Sequence, residues 1–154
     1  MRQVGIFGKR KSGKSALMYA LMNHKFMNAA KYSAMEIGGV GKIMLVDTVG
    51  VDAESSSSAE KSAESIEVAL MLISNESFEL ELAWLTKLKK RGAAVIAVIT
   101  QSDKFADGGQ SLAAAVKEDS ALDTVCVSAK TGAGIDELGN QIILKLSEER
   151  RESR

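Results

Sequence analysis

Apolar residues fall along this chain in short continuous runs, and amphipathic stretches separate one run from the next. The first run, residues 3–7 (Gln3, Val4, Gly5, Ile6, Phe7), is short and partly β-branched and is expected as a buried strand. Residues 14–23 follow with good helix formers and no breaker, and Ala16, Leu17, Ala20 and Leu21 are expected to pack on a sheet. Residues 25–31 carry no period and are expected as a loop. Residues 32–37, the glycine-rich 38–41 and residues 42–47 predict strand, turn and strand, and so short a connection forces an antiparallel hairpin. Only its second arm is strongly apolar, which makes the first an edge strand.

Residues 52–65, with four consecutive serines at 55–58, are polar and irregular by composition, with a short helix expected near 59–65. Residues 68–73 are apolar throughout and predict a strand buried on both faces. A helix is expected over 78–90, capped by Ser77, with Phe78, Leu82, Leu85 and Leu88 on one face. Lys87, Lys89, Lys90 and Arg91 suit its negative end, and Gly92 stops it. A buried strand over 93–99, a short helix over 110–117, a strand over 124–127 and a helix over 135–149 complete the order. Ile135, Leu138, Ile142 and Leu146 mark the core face of the last. Strands alternating with helices predict a three-layer α/β domain with a mainly parallel sheet of about six strands, one of them the antiparallel edge strand.

Candidate chemistry sits where such sheets bind ligands, beyond the carboxyl ends of the strands. Polar motifs at residues 8–15, 47–50, 100–103 and 128–130 all follow apolar runs, and their convergence argues for one nucleotide site built from four loops. The first, Gly8, Lys9, Arg10, Lys11, Ser12, Gly13, Lys14 and Ser15, fits G-x-x-x-x-G-K-[ST] between a strand and a helix that Ala16 continues. Glycines let backbone N–H groups turn toward one anion, and the helix N-terminus adds partial positive charge. Lys14 is expected at the β- and γ-phosphates and the Ser15 hydroxyl on Mg²⁺. A Gly/Lys-rich surface turn is the alternative, and the flanks argue against it.

Composition narrows the picture further. The 154 residues suit one domain, expected over 1–147, with 148–154 a charged tail or the start of a linker. Lys+Arg and Asp+Glu balance at 20 each, so no overall field recruits nucleic acid or an anionic membrane. Locally, Lys9, Arg10 and Lys11 concentrate cations where a polyphosphate would sit. Cys126 is the only cysteine, which excludes an internal disulfide, a cysteine zinc site and a self-contained iron–sulfur cluster. Inside an apolar strand it reads as a small core residue. The only histidine, His24, reads as an exposed helix-end residue. With no leader-like start and no run of membrane-spanning length, a cytoplasmic chain is expected.

Together the four loops resemble those of the translation-factor-related small GTPases, in particular the Era-like group, over the whole chain and in the same order. Residues 5–10, 46–52 and 127–138 are most similar to the GTPase domain of the HydF-type [FeFe]-hydrogenase maturation GTPases. Short microcompartment-associated GTPases of the EutP/PduV type are the second resemblance. These imply a Ras-like G domain of the P-loop NTPase fold, with GTP or GDP and Mg²⁺ as ligands. They imply that Asp47 holds Mg²⁺ through water, that the Gly50 N–H meets the γ-phosphate and that Lys14 serves catalysis. By the same resemblance Asp103 accepts the guanine N1–H and exocyclic amine, the Ala129 N–H meets O6 and Lys130 covers the base. Thr100, Gln101 and Ser128 share those two base loops.

Departures from the family pattern are specific. Gln101 stands where the base motif N/T-K-x-D has a lysine, no threonine lies between residues 15 and 47, and no glutamine follows Asp47 closely. Lys11 takes the place of an asparagine that helps hold K⁺ in the potassium-dependent relatives, so the resemblance implies a K⁺ site or its replacement by the Lys11 ammonium; a Lys11 that points into solvent and only raises the local potential is the alternative. The expected function is a slow GTPase switch, with hydrogenase maturation as the implied setting and a protein partner or downstream domain engaging residues 25–40 and 50–65. A module that binds nucleotide with little hydrolysis and an ATP-using P-loop enzyme are the alternatives.

Overall fold

A computed structural model describes residues 2–23, 43–48, 65–122 and 124–152 of the chain. Its elements run β1 (Arg2–Phe7), α1 (Lys14–Met22), β2 (Ile43–Asp47), β3 (Val68–Ile73), α2 (Glu79–Lys90), β4 (Ala94–Ile99), a 3₁₀ turn (Ser102–Lys104), α3 (Gln110–Ser120), β5 (Thr124–Cys126) and α4 (Ile135–Glu152). Among the described residues five strands form one sheet in the order β2-β1-β3-β4-β5, every pair parallel. Residues 32–37, expected as the antiparallel edge strand, lie outside the described residues. So do His24, the loop over 25–31 and the short helix expected near 59–65, except for Ser65.

Period-two alternation divides the core between the two faces of the sheet. Val4, Ile6, Val68, Leu70, Leu72, Ile96 and Val98 face α1 and α4, where they meet Leu17, Leu21, Leu138, Ile142 and Leu146. Phe7, Ala69, Met71, Ile73, Val95, Ala97 and Ile99 face α2 and α3, against Trp84, Leu85, Leu88, Leu112 and Val116. All six residues of β3 are buried, the consequence of helices covering both faces. Arg2 at the start of β1 donates to the Leu146 carbonyl, tying α4 to the sheet. Cys126 is half-buried and packs against the core of the α2/α3 face rather than within it, and that burial raises its thiol pKa.

Several local expectations are corrected. Leu17 and Leu21 carry the packing of α1, while Ala16 is exposed. Ser77 does not cap α2: the helix starts after Phe78 with no side-chain cap, and the Ser77 N–H donates instead to the Asn75 side chain, 2.9 Å away. α3 runs on to Ser120, where left-handed Ala121 ends it with its N–H on the Lys117 carbonyl, while at its start Asp107 accepts from the Gly109 and Ser111 N–H groups at 3.0 and 2.9 Å. α4 continues through the charged residues to Glu152. Among the described residues no helix is long and apolar enough to cross a membrane.

Candidate functional site

The loop from β1 to α1 is shaped by close approach. A Cβ on Gly8 would lie 2.6 Å from the Ser12 hydroxyl and 3.1 Å from Leu72 Cβ, so only glycine fits. Lys11 and Gly13 adopt left-handed backbone, with φ of 64° and 92°, which coils the chain back before α1 begins. The first α1 bond runs from Leu17 N–H to the Gly13 carbonyl, leaving the earlier N–H groups without helical partners, the anion-binding end of a helix. Lys14 folds over this loop, its Nζ 2.9 Å from the Lys9 carbonyl and 3.3 Å from that of Gly8. Thr100, at the end of β4, is buried and donates its hydroxyl to the Ser12 carbonyl at 2.7 Å, bracing the loop from the neighbouring strand.

Two oxygens converge beside the start of α1. The Ser15 hydroxyl lies 3.4 Å from Asp47 Oδ2, brought together because β2 pairs with β1 in a register that sets Ile6 beside Asp47. A hydroxyl and a carboxylate, both exposed, are the hard-oxygen donors a Mg²⁺ ion takes, so the residues present fit the ion the loop motif implies. No group of three or more His, Cys, Asp or Glu is gathered for a metal among the described residues, so such an ion would rely on phosphate oxygens and water as well. Gly50 lies outside the described residues.

The remaining two loops meet α1 around a cleft of about 220 Å³, lined by Gly13, Ala16, Leu17, Thr100, Gln101, Asp103, Lys104, Val127, Ala129 and Lys130. Asp103 is the one carboxylate on this lining. The buried Ser128 hydroxyl donates to Asp103 Oδ1 at 2.8 Å and accepts from the Thr131 N–H at 3.1 Å, which fixes the carboxylate's direction. That hydroxyl, with lesser help from Lys130 and Lys104, holds the Asp103 pKa below the ordinary aspartate value, so at neutral pH the group is an acceptor only. Gln101 has left-handed backbone, φ 56°, and accepts on Oε1 from the Lys104 ammonium.

Every described member of the expected site stands at one end of the sheet, but one loop cation plays another part. The Lys9 ammonium turns from the loop to the head of α2, 2.7 Å from the Ser77 carbonyl and 3.2 Å from Glu81. What Lys9 offers the loop is its carbonyl, which accepts from Ser12 N–H as well as Lys14. Lys11 is exposed. Sequence reasoning missed Glu81, which is 1% exposed, and Lys104. Glu81 was findable, since it falls three residues after Phe78 and four before Leu85, on the core face of α2. Lys104 was findable as the residue that follows Asp103.

Fold and site together define a P-loop nucleotide-binding G domain. The family model described as 50S ribosome-binding GTPase matches residues 3–101, and the chain belongs to that family. Among solved structures it is similar to a probable GTP-binding protein EngB, with a TM-score of 0.71 at 15% identity over 95% of this chain and 99% of that one. The FeoB G domain of Methanococcus jannaschii superimposes with a TM-score of 0.68 at 18% identity, covering 95% and 99% of the two chains. Translation elongation factor SelB of Methanococcus maripaludis, in complex with the GTP analogue GppNHp, gives 0.71 at 24% identity over 94% of this chain and 33% of SelB. No curated protein sequence matches the chain.

Proposed function

We propose that this chain binds GTP and GDP with Mg²⁺ and acts as a nucleotide-dependent switch whose intrinsic hydrolysis is slow. The observation that carries the guanine assignment is Asp103 at the cleft, ionised and aimed by Ser128. Its two oxygens suit the N1–H and exocyclic amine of guanine, a pairing adenine cannot make, and the wrong base leaves the carboxylate unpaired. The Ala129 N–H would meet O6 and Lys130 would cover the ring. Lys14, now resting on two loop carbonyls, has its ammonium at the loop's mouth, where it would exchange them for β- and γ-phosphate oxygens. Ser15 and Asp47 would hold Mg²⁺, which supplies neutralising charge at the phosphates.

Slow hydrolysis follows from what the chain lacks: a threonine between residues 15 and 47 and a glutamine shortly after Asp47 to orient water. Lys11 partly compensates, its ammonium standing in for the K⁺ of the potassium-dependent relatives. Hydrolysis should then be indifferent to exchanging K⁺ for Na⁺. Lys11→Asn should lower the rate in Na⁺ and recover some of it in K⁺. Residues 25–40 and 50–65 are the segments that would answer to the γ-phosphate and engage a protein partner or downstream domain. The resemblance of residues 5–10, 46–52 and 127–138 supports a HydF-type role in hydrogenase maturation.

The same missing threonine and glutamine favour a second reading, a G domain that binds nucleotide and hardly hydrolyses it, in an assembly role of the EutP/PduV kind. Denaturing the purified protein and chromatographing the released nucleotide tests the guanine reading; recovery of ADP or ATP alone would overturn it. Single-turnover GTP hydrolysis, with and without a candidate partner, separates the switch from the inert module.

A further inference from the structure

The lysine missing from position 101 leaves a gap in the base site that another residue is placed to fill. Gln101 precedes the 3₁₀ turn Ser102–Lys104, and the turn closes with the Lys104 N–H donating to the Gln101 carbonyl at 2.9 Å. Three residues per turn bring positions i and i+3 to the same side, so the side chains of 101 and 104 emerge together. Both line the cleft. The Lys104 ammonium is bonded to Gln101 Oε1, and Gln101 in turn reaches the phosphate loop: a Cβ on Gly13 would lie 3.5 Å from its Nε2 and 3.9 Å from its Cγ.

We propose that Lys104 is a base-binding residue of the nucleotide site, its alkyl stem forming the wall against which the base rests and its head held in place by Gln101. The inference rests on the guanine-site reading above. A lysine stem lies along apolar surface while its ammonium stays with a polar partner, and here that partner is fixed at the cleft's edge. Lys104 lines the cleft and its head is bonded to Gln101, which lines it too, so the stem is placed to lie along the cleft. The residue type at 101 fits this role. Glutamine offers a carbonyl acceptor to the ammonium, whereas a lysine there has donors only and would repel it. Gln101 and Lys104 thus act as a unit, the first as anchor and the second as platform, in place of a single lysine at 101.

The test is calorimetric binding of GDP and IDP, with Mg²⁺, to the full chain and its variants. Lys104→Ala should weaken GDP about tenfold, the scale of losing contact with about two methylene groups. IDP should weaken by the same factor, because a stem under the ring face does not read the 2-amino group. Gln101→Lys combined with Lys104→Ala should bind GDP more tightly than Lys104→Ala alone, since the platform is restored from position 101. Wild-type protein that fails to bind GDP removes the guanine reading and this inference with it. If wild type binds, three results overturn the inference alone: a Lys104→Ala affinity within about twofold of wild type, a changed GDP-to-IDP ratio, which would place the effect on Asp103, or a double variant no tighter than the single.

Discussion

The Lys9 ammonium lies 3.2 Å from Glu81 Oε1, joining the loop after β1 to the first turn of α2. Glu81 is 1% exposed, and a buried carboxylate is retained at a cost that only a partner offsets. Lys9→Met strands that charge and should destabilise the protein by about 3 kcal/mol in urea denaturation. Adding Glu81→Leu should recover most of the loss, since an apolar pair of similar volume replaces the ions. A single variant within about 0.5 kcal/mol of wild type would show the pair to be idle. GDP affinity should fall far less in Lys9→Met than in Lys14→Ala, because Lys14 keeps its ammonium on the loop's own carbonyls while that of Lys9 turns to α2.

Ser15 and Asp47 make a prediction about metal. Ser15→Ala removes the hydroxyl that the loop motif assigns to Mg²⁺, and Asp47→Asn removes the charge opposite it. Each should weaken GDP binding in Mg²⁺ and reduce the further loss caused by EDTA. Lys14→Ala should weaken binding strongly in either condition. Calorimetry giving Lys14→Ala the wild-type GDP affinity would sink the phosphate assignment.

Asp103 should read the base. Asp103→Asn exchanges an acceptor for a donor opposite the 2-position, where xanthine carries a carbonyl, so preference should move from guanine toward xanthine. The ratio of GDP to XDP affinities measures it, and an unchanged ratio means that Asp103 does not face the base.

The pH response has a definite sign. Asp107 accepts from the Ser111 side chain and from the Ser111 and Gly109 N–H groups, which hold its folded pKa below the ordinary value. A depressed folded pKa contributes stability that is present above the unfolded value, about 3.9, and is lost as pH falls through the folded one. Asp107→Asn should therefore be less stable than wild type at pH 7, the difference closing in strong acid. Melting temperatures across that range decide it. In the same way the Asp103 carboxyl, followed by NMR, should titrate below about 3.9 in wild type and move up in Ser128→Ala.

Gly134 is packed against the chain before it. An added Cβ would stand 2.0 Å from the Cys126 carbonyl oxygen, and its φ of 75° is left-handed. Gly134→Ala should cost at least about 3 kcal/mol, by the combined clash and backbone strain, and a thermal melt unchanged from wild type would contradict the packing.

How much of this was legible beforehand varies by residue. β3 was readable to its ends, because a strand buried on both faces must be apolar throughout. The loop motif between β1 and α1 was equally plain, since anion capture needs glycine, lysine and serine at fixed spacing. The start of α2 was misread: Ser77 has the right chemistry for a cap, but the helix begins a residue later, after Phe78 and without a side-chain cap, where the Ser77 carbonyl accepts from the Lys9 ammonium. Local preference yields there to a long-range contact.

By itself the sequence determined the alternation of strands and helices, the end of the sheet that carries chemistry, and the residues of the phosphate loop. Those properties follow from periodicity and from spacing along a short piece of chain. The tertiary structure alone decided where the Lys9 ammonium goes. Lys9 and Lys11 are equivalent as charges in the sequence, and only the approach of α2 to β1 turns one of them toward Glu81. It also decided that Gln101 holds Lys104 rather than standing as a bare substitution. Whether an ammonium meets a carboxylate, an amide or open solvent depends on neighbours distant in the chain, and those are set by packing, which no local pattern encodes.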